Sequence, residues 1–196
     1  MDPEPSGGGT TVIELRAGTL TEPADALVVG VGEERDWDES GRWLIDHMGD
    51  WLAGYLDAAD FTGKEGQVVT VPGAGLVPYG TVVLVGLGRE TDAEALRRAA
   101  GSAGRALTRV ASVATTLGTR VPGGEEAVTL GFLLGQYSFQ KHRSEPKPVR
   151  TESLCLIGAG EDALAGAKKA QVIAGAVAKA RDLVNEPSVN KPPEYL

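Results

Sequence analysis

TVVLVGLGRETDAEALRRAAGSAGRALT, Thr81 to Thr108, holds the organising unit of this chain. Thr81 to Val85 is a β-branched and leucine run of the kind buried on both faces of a sheet. It ends in Gly86-Leu87-Gly88, a turn signal, and Thr91-Asp92-Ala93-Glu94 then has the form of a capping box. The threonine hydroxyl would take an orphan amide and Glu94 would reach back, with acids favoured by the helix dipole. A helix to about Thr108 follows, so the stretch reads as strand, glycine turn, helix.

The same grammar extends in both directions. Val12 to Leu15 alternates like a strand with one wet face, and Ala26 to Val29 reads as a fully buried strand. Between them Gly18 to Pro23 makes the turn. Trp43, Leu44, Met48, Trp51, Leu52 and Tyr55 recur mostly every three or four residues, which predicts one amphipathic helix over Gly41 to Ala58 with its tryptophans in the core or an interface. Gln67 to Val71 and Val110 to Thr116 read as strands, and Glu125 to about Gln140 as a helix. Leu154 to Ile157 is a strand ending in Gly158-Ala159-Gly160, and Asp162 to Leu183 is a long alanine-rich helix. Strands that turn through glycine into helices argue an α/β three-layer sandwich: a mostly parallel mixed sheet, helices on both faces, and antiparallel pairing near Gln67 to Val85.

Bulk properties narrow the function classes. The 196 residues are enough for one sizeable core. The net charge of −8, from 19 basic and 27 acidic residues, opposes nonspecific binding to a phosphate backbone, so no nucleic-acid partner is expected. The local basic group Lys141, His142, Arg143, Lys147 and Arg150 reads as a solvated loop. A single cysteine, Cys155, precludes an intrachain disulfide and fits a reducing cytoplasm; within an apolar strand it reads as an inert space filler. Gln67 to Gly88 has no charged residue, but Pro72, Pro78 and five glycines make it two strands joined by a turn, and no membrane segment is expected. Residues 1–9, MDPEPSGGG, read as a flexible tail.

The candidate sites are sparse. Gly86-x-Gly88 and Gly158-x-Gly160 each lack the third glycine of the dinucleotide fingerprint, and tight turning accounts for both without a cofactor. His47 and His142 stand far apart with no ligand-spaced motif, and His47 reads as a surface or interface residue. The acidic run Glu33 to Glu39 reads as a solvated loop rather than a cation cage. There is no nucleophile elbow, P-loop or HExxH. The residues by themselves therefore predict no catalytic, cofactor-binding or metal-binding position.

The closing segment is the specific signal. Ala180-Arg181-Asp182-Leu183-Val184-Asn185-Glu186-Pro187, with Asn190, Pro192, Pro193, Glu194 and Leu196, resembles the piece that joins the two domains of the leucyl aminopeptidase (cytosol aminopeptidase) family of metallopeptidases. Asp60 to Gly66, Val85 to Gly88 with Leu96 to Ala100, and Gly135 to Lys141 resemble the same family in the same order, so the likeness runs from about Thr11 to Leu196. It implies residues 10–180 as a macro-like N-terminal domain and residues 181–196 as an interdomain linker leading to an absent C-terminal catalytic domain. It further implies a cytoplasmic homohexamer that releases N-terminal residues, leucine favoured, from peptides by means of two divalent ions, zinc or manganese.

The metal ligands and catalytic residues of the family lie in that second domain, so none is assigned here, and this chain is expected to be inactive alone. Pro193 to Leu196 looks like the opening of a further helix, as though the sequence continued. In the macro fold, Gly18-Thr19-Leu20 stands where nucleotide-binding members carry Gly-Asp-Ile, and Val29-Gly30-Val31 replaces an Asn-Ala-Ala-Asn stretch. No ADP-ribose site is therefore expected. The rival readings are a free-standing macro-like ADP-ribose-binding module and an interaction domain without a ligand.

Overall fold

The structure is a computed structural model that describes residues 12–187 apart from 146, 148 and 150. The tail at 1–9, Arg150 and the Asn190 to Leu196 part of the joining segment lie outside the described residues. Eleven elements follow in order: β1 (Glu14–Gly18), β2 (Ala24–Gly32), α1 (Glu39–Met48), α2 (Asp50–Ala58), β3 (Val68–Pro72), β4 (Tyr79–Gly88), α3 (Ala93–Ala106), β5 (Ser112–Thr115), α4 (Gly124–Gln136), β6 (Ser153–Ile157) and α5 (Glu161–Asn185). Glu33–Arg35 and Leu117–Arg120 add single 3-10 turns. The six-stranded sheet has the order β1-β6-β5-β2-β4-β3, parallel throughout except for the antiparallel β3–β4 pair at one edge. The expected three-layer α/β sandwich is what the chain forms.

The alternation of side chains in the two central strands divides the core. Leu27, Val29 and Val31 of β2, with Val82 and Leu84 of β4, face α1 and α2, where Leu44, Met48, Leu52, Leu56 and Phe61 close the layer. Ala26 and Val28, with Val83, Val85 and Leu87, face α3, α4 and α5. A side chain of this size contributes about 1.5–3 kcal/mol when fully buried, so these two strands supply core to both layers at once. A strand buried on both faces has no polar alternation to show, which is why both read as continuous apolar runs.

Of the boundaries that differ from the sequence reading, among them α4 ending at Gln136 instead of about Gln140 and β5 covering only Ser112–Thr115, three have a local reason. The helix expected over Gly41 to Ala58 is two helices, because Gly49 sits at φ 62, ψ −156, a backbone region that side chains exclude. The cap of α3 is Asp92 and not Thr91: its carboxylate accepts from the Ala95 amide at 2.7 Å, while Glu94 turns outward to Arg97 at 2.6 Å. Asp at the cap position serves as well as threonine, and Glu94 gains a full ion pair by leaving the box. The first strand begins at Glu14, and Val12 is exposed.

The layer of α3, α4 and α5 is built with small residues. Where α3 crosses α4 the backbones nearly touch: a Cβ on Gly131 would stand 2.0 Å from the Arg97 carbonyl oxygen, and one on Gly135 would stand 2.2 Å from that of Gly101. In the same layer α5 lays Ala167, Ala170, Ala174 and Ala178, spaced by three and four, inward at full burial. Small residues set this layer close to the sheet.

Candidate functional site

In a parallel α/β sheet a ligand crevice is expected outside the carboxyl ends of the strands. Here that end of β2 is occupied by the chain itself. Arg120 Nη2 donates to the Gly30 carbonyl at 2.6 Å, and its Nε stands 2.7 Å from Asp38 Oδ2. The other oxygen of Asp38 caps α1 by accepting from the Gly41 amide at 2.8 Å, and it also accepts from Ser40 Oγ at 2.7 Å. Thr116 Oγ1 lies 3.0 Å from the same Ser40 hydroxyl. The acidic run therefore does more than face solvent: Asp38 is a helix cap and half of an ion pair with an Arg120 side chain only 12% exposed. Glu33 pairs with Arg89 at 2.8 Å.

The glycine turns have backbone explanations. Gly88 and Gly158 adopt φ 76 and 77, and a Cβ on Gly86 would collide with the Lys64 carbonyl at 1.9 Å. Cys155 is buried in β6, where burial raises its thiol pKa and disfavours the reactive thiolate. His47 is exposed on α1, its Nδ1–H donating to the Trp43 carbonyl at 2.8 Å, with the two rings 4.2 Å apart. Trp43 is half-buried and packs against the core, whereas Trp51 is 43% exposed. Among the described residues no group of three His, Cys, Asp or Glu side chains could hold a metal ion. None of their helices is long and apolar enough to cross a membrane.

The informative place is the end of α5. Tyr137, just after α4, donates its hydroxyl to Asp182 Oδ1 at 2.8 Å, accepts from Asn185 Nδ2 at 3.2 Å and lies under the Arg181 guanidinium, 5.3 Å from the ring centroid. Burial pushes the Tyr137 phenol above its ordinary pKa, which keeps it a donor. One step on, the Glu186 carboxylate, 1% exposed, is held by Lys141 Nζ and by His142 Nε2, each at 3.0 Å. Two of the stretches that carry the family resemblance, Gly135 to Lys141 and Arg181 to Pro187, are thus one packed junction.

Sequence reading recognised both stretches and missed that they touch. It left Lys141 and His142 in a solvated loop; both are partly exposed, yet their side-chain nitrogens clamp a buried acid. The signal that could have found this is Glu186 itself, an acid beside a proline at a helix end, where an unpaired carboxylate could not be buried.

A groove of about 340 Å³ runs between α3, α4 and the loop before β3, with Arg97, Arg98, Arg105 and Arg181 along it. Arg97 and Arg98 are matched by Glu94 and Glu65. Arg105 and Arg181 stand in or near the last turns of α3 and α5, where positive charge complements the helix dipole. The groove is thus accounted for by structural charge.

A parallel sheet with an antiparallel edge and helices on both faces defines a macro-like α/β domain. The model of the cytosol aminopeptidase family's N-terminal domain matches residues 28–146, and the chain belongs to that family. It is 38% identical to a probable cytosol aminopeptidase of Corynebacterium diphtheriae across 97% of its own length, which is 39% of that protein. With a probable cytosol aminopeptidase of a Geobacter species it shares 37% identity, covering 90% of this chain and 38% of the relative. The chain thus spans about two fifths of the length of these relatives. A tomato leucine aminopeptidase mutant superposes with a TM-score of 0.81 at 24% identity, over 93% of this chain and 40% of that one. A Trypanosoma brucei macrodomain solved in complex with ADP gives 0.54 at 17% identity, over 80% and 67%. At these identities the two structures speak for the fold.

Proposed function

We propose that this chain is the N-terminal, non-catalytic domain of a leucyl aminopeptidase, a two-metal peptidase that releases N-terminal amino acids, leucine favoured, from peptides. Residues 10–180 form the domain, and 181–196, beginning within α5, lead toward the C-terminal catalytic half. Its work is to pack against that half, to help assemble a cytoplasmic homohexamer and to shape access to the active sites. The carrying observation is the match itself: nearly all of this chain aligns with only about 39% of a relative named as an aminopeptidase. The junction of Tyr137, Asp182 and Glu186 supports it, since these residues anchor the segment that resembles the interdomain joint.

The described residues do not fit a pair of manganese or zinc ions, because no three candidate ligands converge among them. Such ions stabilise a tetrahedral oxyanion and activate water in two-metal peptidases, and in this reading both the ions and their carboxylate ligands belong to the catalytic half. The test is hydrolysis of leucine p-nitroanilide by the purified 196-residue chain with added manganese. No turnover above the metal blank is expected; turnover that depends on metal and on this chain would sink the proposal.

The alternative, a macro-like module that binds ADP-ribose, is favoured only by the likeness to the ADP-bound macrodomain. Against it stands the Asp38–Arg120 pair in the crevice. Calorimetric titration of ADP-ribose separates the two, with no binding heat expected.

A further inference from the structure

We propose that the outer edge of β3 is a self-complementary docking strand that pairs antiparallel with β3 of a second copy of this chain, about a two-fold axis through Thr70. The inference stands apart from the reading of the parent enzyme. It starts from register. The Gly86 amide donates to the Gln67 carbonyl at 2.8 Å and the Gly73 amide to the Gly80 carbonyl at 2.9 Å, with Val69 opposite Leu84 and Val71 opposite Val82 between them. In an antiparallel ladder, bonded and non-bonded pairs alternate. Gln67, Val69, Val71 and Gly73 therefore spend their polar groups on β4, while Val68, Thr70 and Pro72 turn theirs outward.

That outward row is an unusual edge. Natural edges are blunted with charge, proline, bulges or covering elements; this one carries Pro72 but no charge, since Gln67 to Gly88 contains no charged residue in a chain of net charge −8. Two copies approaching here avoid the repulsion they would meet across their acidic surfaces. Trp51 at 43%, Tyr55 at 40%, Val68 at 36% and Leu76 at 47% exposure carry apolar surface on the neighbouring helix, on the strand and in the turn beyond it. The Tyr55 hydroxyl reaches only 3.4 Å from the Thr70 carbonyl, which leaves that oxygen's second lone pair free.

Proline selects the partner. Pro72 offers an acceptor and no donor, so most incoming strands would waste a group opposite it. Pairing about Thr70 sets Val68 of one copy against Pro72 of the other: each Val68 amide donates to a Pro72 carbonyl, the two Thr70 residues exchange both their bonds, and one Val68 carbonyl per copy remains for water. The contact is isologous and closes after two copies, as a two-fold interface must.

The experiment is light scattering of the full chain over a concentration series, together with residue-resolved amide exchange. The expected result is a reversible dimer in which the Val68 and Thr70 amides gain protection as concentration rises. Thr70→Pro removes an amide that β4 does not use and should raise the dimer dissociation constant by about tenfold or more, with circular dichroism and melting retained. A chain that is monomeric at every concentration overturns the proposal, as it would if the edge captured only foreign extended peptides. A dimer whose Val68 and Thr70 amides exchange freely overturns it too. Should Thr70→Pro fail to fold, the exchange data on the unaltered chain decide.

Discussion

The two helical layers over this sheet solve the same problem with opposite materials. Under α1 and α2 the space is filled by side chains, Leu44, Met48, Leu52, Leu56 and Phe61; no heavy atom comes within 4 Å of a Cβ built on Gly49, between the helices, or on Gly54, and Gly41 meets only the side chain of Trp37. Between α3 and α4 the contact is backbone on backbone through Gly101, Gly104, Gly131 and Gly135. One layer depends on volume being present and the other on volume being absent. The same substitution should therefore change sign from one layer to the other.

The largest effect is expected at the α3–α4 crossing. Gly131→Ala puts a methyl 2.0 Å from the Arg97 carbonyl, which forces the helices apart and should cost about 3 kcal/mol or more in urea unfolding. An unchanged midpoint would break the contrast between layers. Leu52→Ala, in the side-chain-filled layer, should lose about 3 kcal/mol through the cavity it leaves; a loss under about 1 kcal/mol would mean that α2 collapses onto the gap. Gly54→Ala, an exposed position within α2, should instead stabilise by about 0.5–1 kcal/mol, since it restricts the unfolded chain and meets no neighbour.

The smallest effect concerns pH. Asp25 Oδ2 accepts from the Ala111 and Ser112 amides, each at 2.9 Å, and these bonds, that from Ser112 foremost, hold its carboxyl below the usual value. A depressed folded pKa gives stability that is complete above the unfolded value near 3.9 and is lost as pH falls through the folded one. Asp25→Asn should thus flatten the acid limb of the stability curve by a few tenths of a kcal/mol, and little more at an exposed site. A steeper acid limb in the variant would contradict the assignment.

How much of this was legible follows from range. The strands could be read because β2 and β4 are buried on both faces, and an apolar run with a glycine stop announces itself within a few residues. The break at Gly49 could not, since the apolar spacing carries on across it and only the backbone angle ends the helix. The Asp38–Arg120 pair joins residues 82 apart in the sequence (120 − 38), and the Lys141–Glu186 pair joins residues 45 apart (186 − 141). Nothing local marks the first pair, and for the second the sequence offers only the acid beside Pro187 at the helix end. The Asp38–Arg120 contact at the carboxyl end of β2 depends on approaches that only the folded chain brings about.

The 25-residue α5 spans roughly 37 Å. Gln171 Nε2 ties its middle to the Ile13 carbonyl at 2.8 Å, just before β1, and Asp182 ties its far end to Tyr137, just after α4. A pull on the residues that follow it would not peel the helix away one turn at a time. It would be shared between the first strand and the fourth helix through a stiff rod pinned at two stations, so tension arriving at the tip is carried as strain across the whole body.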